Sequence, residues 1–155
     1  MYLLVKLIHI LAVIVFLGNI AMGLFWHRHA WSTREPSLLS HTLSGIIRSD
    51  RLFTIPSVIA IVATGIAAAI VGRLPILGTG WILWTIVLFA ISGAIFAIRV
   101  APLQRELLAM TNAASGRASF DHAGYARLAA RWEAWGAVAL IAPVVGLALM
   151  VLKPS

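Results

Sequence analysis

The sequence predicts an all-α integral membrane protein, a four-helix bundle with a short interfacial helix after the first span. Apolar residues make up 61% of the 155 positions and charged residues 11%, a balance that leaves too little polar surface for a water-soluble domain. Four apolar stretches, Leu3 to Trp26, Leu52 to Val71, Trp81 to Ala101 and Ala134 to Leu152, approach the roughly 20 helical residues needed to cross hydrocarbon. The basic residues are distributed unevenly. Arg28, Arg34, Arg48, Arg51, Arg99, Arg105, Arg117, Arg127 and Arg131 flank the first and third connections, against Lys6, Arg73 and Lys153 on the other side. By the positive-inside rule both long connections are expected to be cytoplasmic and both termini periplasmic or external, as for a multi-pass protein of a bacterial inner (cell) membrane. The whole chain reads as one transmembrane domain.

The first span is expected to stay as a mature helix. Three more spans follow it, and Lys6 lies within the apolar run rather than before it, unlike the charge of a cleaved signal. Pro36 to Ser49 then places Leu38, Leu39, Leu43, Ile46 and Ile47 on one stripe, the pattern of an interfacial amphipathic helix. Asp50 sits where an N-cap for the second span is expected, and Pro56 should bend that helix or loosen its first turn. Pro75, Gly78 and Gly80 make a tight turn before Trp81 and Trp84, which mark an interface. Ala90, Gly93, Ala94 and Ala97 suit close helix packing within the chain or in a homo-oligomer. Beyond Pro102 the run LQRELLAMTN extends the third helix, and Ala113 to Ser119 is small and polar. Ser119 or Asp121 is placed to cap the last helix, in which Pro143 removes one backbone bond.

There is no cysteine, which excludes disulfides, thiolate metal sites, iron–sulfur clusters and c-type haem attachment. No phosphate loop, Ser-His-Asp set or paired intramembrane carboxylate is present, and the net charge of +7 flanks the spans rather than forming a nucleic-acid surface. Asp50, Glu106 and Glu133 lie near arginines, so ion pairing is the expected role of each.

The informative residue is His9. An ionisable group in hydrocarbon costs on the order of 3 kcal/mol, so it faces a bundle interior, a ligand or water. Lys6 can snorkel; neutral His9, two turns in, cannot. His9, Val13, Phe16, Ile20, Gly23 and His27 share one helical face, expected to point inward. Two readings of His9 stay open at this point. It is a neutral imidazole bonded to Thr85, Thr64 or a backbone carbonyl, or it is an axial ligand of haem b. In the second case Met150, or more remotely Lys6, offers the opposite ligand, and Arg99 a propionate partner. The hydroxyl stripes Thr85, Ser92, Arg99 and Thr54, Ser57, Ile61, Thr64 read as interhelical hydrogen bonding, and the fourth span aligns Gly136, Pro143 and Met150. His27, His29, His41 and His122 read as interfacial or exposed, His27 standing apart because it shares the face of His9.

The segments YLLVKLIHILAVIVFLGNIAMGLFW, RSDRLFTIPSVIAIVATG and GWILWTIVLFAISG resemble a bacterial family of uncharacterised integral membrane proteins, over most of the chain up to APLQREL. Through the K-x-x-H-I-x-x-V opening and the arginine-rich entry to a proline-containing second helix, that family is distantly similar to HemJ-type protoporphyrinogen IX oxidases and CopD-type membrane domains. The resemblance implies a b-haem ligand at His9. It departs from the HemJ pattern in GWILWT, where Trp84 and Thr85 stand in place of a lysine soon after the tryptophan that opens the third helix, and in lacking a later third-helix histidine, so the resemblance does not by itself imply the oxidase activity. The expected function is therefore a haem b protein of membrane electron transfer, or a membrane oxidoreductase, with a quinone, a porphyrin or a redox protein as partner within the lipid bilayer. The alternatives are a small transporter in which His9 relays protons and an accessory subunit without cofactor.

Overall fold

The computed structural model describes residues 1–76, 78–114 and 120–153. Among them are six α-helices: α1 (Tyr2–Ser32), α2 (Pro36–Ser49), α3 (Ile55–Val71), α4 (Gly80–Ile95), α5 (Ala101–Ala114) and α6 (His122–Leu152). Two π-helical turns, Asp50–Thr54 and Phe96–Val100, join α2 to α3 and α4 to α5, giving two continuous long helices. The result is four helices long and apolar enough to cross a membrane.

Proline explains both π-turns. A helical proline has no N–H to give the carbonyl four residues back, and its ring crowds that carbonyl. Pro56 and Pro102 each follow a π-turn by two residues, and the wider turn makes room for the ring without breaking the helix. The amphipathic segment has the expected bounds, Pro36–Ser49, and runs on through the first of these turns into the second span. Its buried residues Leu39, Leu43 and Ile46 pack on α5 and α1. Asp50 is not an N-cap: it lies in the π-turn, inside the continuous helix, and its side chain is spent elsewhere. Asp121, in contrast, does cap α6, accepting from the Gly124 N–H at 2.8 Å. Residues 115–119, including the alternative cap Ser119 and most of the small polar segment, lie outside the described residues.

Within the spans α1 packs against α3 and α4 against α6, and no Cα of α3 comes within 8 Å of α4 or α6. The two pairs meet through α1, where the Phe16 and Phe89 rings are 5.6 Å apart and Leu24 lies over Gly136. A helix of 31 residues such as α1 is about 46 Å long, against a hydrocarbon thickness of about 30 Å. Both α1 and α6 therefore project beyond the span at the basic end, where α2 and α5 complete a four-helix layer. The tightest core is here: Leu39, Leu43, Leu107 and Tyr125 are fully buried, with Trp132 and Leu128 beside them. Water supplies the hydrophobic drive for that layer, whereas in lipid helices associate by small contacts and interhelical hydrogen bonds.

Candidate functional site

The predicted inward face of α1 is the one that packs: Phe16 and His27 are buried and His9, Val13, Ile20 and Gly23 partly so. Gly23 admits Ile46 of α2, and Gly65 of α3 admits the His9 ring, whose Cε1 would lie 3.3 Å from a Cβ built there. His9 Nδ1 is 3.1 Å from the Ile61 carbonyl and 3.0 Å from Thr64 Oγ1. The Thr64 hydroxyl proton goes to the Ala60 carbonyl, so both partners of Nδ1 act as acceptors and Nδ1 carries the hydrogen. Neutral His9 then presents a lone pair on Nε2, for which no hydrogen-bond partner exists among the described residues.

The other residues singled out from the sequence belong to other contacts. Thr85 donates to the carbonyls of Trp81, at 2.7 Å, and Gly146, at 3.1 Å. Ser92, seven residues on, donates to the Ala139 carbonyl at 2.6 Å. Arg99, seven further, lays its guanidinium 5.4 Å from the Trp135 ring centroid. This stripe is the antiparallel α4–α6 contact, and its hydroxyls are the interhelical bonds the pattern suggested. Met150 is half-buried near the end of α6, and Lys6 is exposed. Among the described residues no hydrogen bond, ion pair or ring contact joins His9 to Thr85, Met150 or Arg99. No group of three His, Cys, Asp or Glu side chains able to hold a bare metal ion occurs among them either.

Two polar clusters were not anticipated. Asp50, 8% exposed, receives Asn19 Nδ2 at 3.2 Å and Thr54 Oγ1 at 2.9 Å on one oxygen, and Gln104 Nε2 at 3.0 Å on the other. Asn19 also donates to Thr54 at 2.8 Å and accepts from Ser49. The carboxylate thus ties α1, the π-turn and α5 together with no cationic partner among the described residues, which corrects the expectation of an Asp50 ion pair. An asparagine in the middle of LGNIAMG was the available signal.

The second cluster corrects the reading of His27 as interfacial. It is fully buried, with Nδ1 3.3 Å from Glu133 and Nε2 2.9 Å from the Tyr125 hydroxyl. Burial, with Glu133 nearby, pushes the Tyr125 hydroxyl well above its ordinary range, so it stays protonated and donates to Nε2. Glu133 does pair with arginine: Arg28 Nε and Nη2 lie 3.0 and 2.9 Å from one carboxylate oxygen. The Trp132 ring stands edge-on to His27 at 4.8 Å, its indole N–H buried without an acceptor among the described residues.

Residues 3–154 match the model of a family described as a predicted integral membrane protein, DUF2269. The chain belongs to that family. No curated protein and no solved structure matches it. For this DUF2269 chain the chemistry accordingly rests on side chains, and of the two histidines on the inward face of α1 they separate one that is spent from one that is not. His27 has both ring nitrogens engaged; His9 has one.

Proposed function

We propose that the protein binds b-type haem through His9 Nε2 and transfers electrons within the membrane. The observation that carries this reading is the hydrogen bond from His9 Nδ1 to Ile61 and Thr64 of α3. A ligating imidazole characteristically donates its other N–H to a carbonyl or carboxylate, which fixes the tautomer and raises the basicity of the ligating nitrogen. The ring rests against Gly65, which has no side chain to displace it. A porphyrin brings four nitrogens of its own and asks of the protein one or two axial groups, a demand this cysteine-free chain can meet. Met150, in the same half of the bundle, is the proposed second ligand, its soft thioether suited to haem iron. Bound there, haem would supply one-electron redox chemistry; α1 and α3 would hold His9 in orientation and keep water from it.

The orientation proposed is that of the positive-inside rule, with the basic end cytoplasmic and His9 in the outer leaflet of a bacterial inner membrane. The test is the absorption spectrum of protein purified from haem-sufficient cells. Wild type should show a Soret band with α and β bands sharpened on reduction, and His9→Ala should lose it while still inserting. A wild-type protein with no Soret band overturns the reading and leaves His9 as a bond between α1 and α3.

A further inference from the structure

We propose that the groove between α1 and α2 is a binding site for the head ring of an isoprenoid quinone. The groove has a volume of about 620 Å³, within the range of small-molecule and cofactor sites. It runs from Ala30 and Leu38, near the turn joining the two helices, to Asn19 and Ser49, the outer members of the Asp50 cluster. Glycine keeps it open: a Cβ on Gly45 would meet nothing within 4 Å.

Its chemistry selects the occupant. The chain carries twelve basic residues, yet among the described residues no arginine, lysine or carboxylate lines the groove. A phospholipid phosphate would find no counter-charge there, and neither would a cation, so the ligand is neutral. Of the polar groups that line it, Asn19 and Ser49 are engaged in the Asp50 cluster, whereas the side chains of His29 on α1 and of His41 and Thr42 on α2 make no hydrogen bond among the described residues. Two uncommitted imidazoles on opposite walls suit a ring with carbonyl acceptors on opposite edges. His29 is itself held, stacked on Phe25 at 6.3 Å and edge-on to Trp26 at 5.7 Å, and the Trp26 indole offers a flat wall for the ring. The apolar part of the lining, which includes Met22, Leu38 and Ile46, accepts a prenyl tail. Asn19 lies ten residues from His9 on the same helix, about 15 Å along its axis. The redox meaning of the site rests on the haem reading above; the binding does not.

The experiment titrates purified protein in detergent with decylubiquinone, read by quenching of tryptophan fluorescence. Saturable quenching is expected in wild type and equally in His9→Ala, which separates this site from the haem reading. Gly45→Phe, which fills open space, and His29→Ala with His41→Ala, both on exposed side chains, should each weaken binding by at least about tenfold with helicity unchanged. Quenching that does not saturate, that persists undiminished in either variant, or that added phosphatidylglycerol displaces as readily as excess quinone overturns the proposal.

Discussion

Ser92 Oγ lies 2.6 Å from the carbonyl oxygen of Ala139, the acceptor that Pro143 deprives of its own helical N–H. A proline in a membrane helix leaves the carbonyl four residues earlier without its bond, and in lipid no water replaces it. Here α4 supplies the donor, and α6 runs unbroken through Pro143. Ser92→Ala should therefore destabilise the bundle by about 1–2 kcal/mol. In a Pro143→Ala background, where Leu140 to Ala142 continue into a residue with an N–H, the same substitution should cost less. Unfolding by SDS titration, followed as a double-mutant cycle, measures the difference; strict additivity would show that Ser92 does not serve the carbonyl freed by Pro143.

Asp50→Ala removes the acceptor for Asn19, Thr54 and Gln104 at one stroke. Leaving buried donors unsatisfied costs about 1–3 kcal/mol even for one group, so this variant should be the more destabilised of the two, by about 2–3 kcal/mol or more. Asn19→Leu should show part of that loss. Thermal unfolding in a mild detergent checks the order, and an Asp50→Ala protein as stable as wild type would refute the structural role of the cluster.

Tyr125 gives a prediction in pH. Its hydroxyl is held in the protonated form in the folded state, above the ordinary value near 10. A group whose folded pKa is raised contributes stability that is fully present below the unfolded value and is lost as pH rises through the folded one. Folding stability should accordingly decline from about pH 10 upward, and Tyr125→Phe should flatten that limb while losing the bond to His27. In a Tyr2→Phe background, where Tyr125 is the sole tyrosine, tyrosinate absorbance should appear only well above pH 10.

What could be read in advance was what hydropathy and periodicity encode. The four spans, the bounds of α2 and the inward face of α1 follow from side chains facing lipid or a neighbour, and Asp121 follows from cap chemistry. Asp50 was misplaced because a local rule, an acid before a helix, competed with a non-local one: Asn19 and Gln104 come from other helices and draw the carboxylate inside. His27 was misplaced because the helices outrun the bilayer. A histidine just past a span would meet water if the bundle ended there, but Tyr125, Trp132 and Glu133 of α6 close over it. For His9 the sequence offered Thr85, Thr64 or a carbonyl as partners, and packing on α3 selects the last two.

The orientation proposed from the arginine distribution is checked by labelling. Cysteines introduced at Ser37, which is exposed at the basic end, and at Thr79, between α3 and α4, should react from opposite sides of intact cells and inverted vesicles. The nine basic residues that flank the first and third connections in the sequence, against three elsewhere, predict a cytoplasmic Ser37 under the positive-inside rule. Labelling of Ser37→Cys from the periplasm would reverse the topology and put His9 in the inner leaflet.

Gly65 tests the haem reading without touching the proposed ligand. A methyl added there would lie 3.3 Å from His9 Cε1 and 3.7 Å from Nδ1, tight enough that the ring must shift by a few tenths of an ångström, since a packed interface has little slack. The hydrogen bond to Ile61 and Thr64 would lengthen with it, loosening the tautomer and the aim of Nε2. Gly65→Ala should still insert, because alanine is the better helix former, and should bind haem more weakly with shifted reduced bands. Gly65→Val, with a bulkier side chain at the same place, should lose the Soret band as His9→Ala does, whereas His29→Ala, His41→Ala and His122→Ala retain it. If Gly65→Val binds haem with an unaltered spectrum while keeping its fold, His9 is not the ligand, and the imidazole serves only to hold α1 to α3.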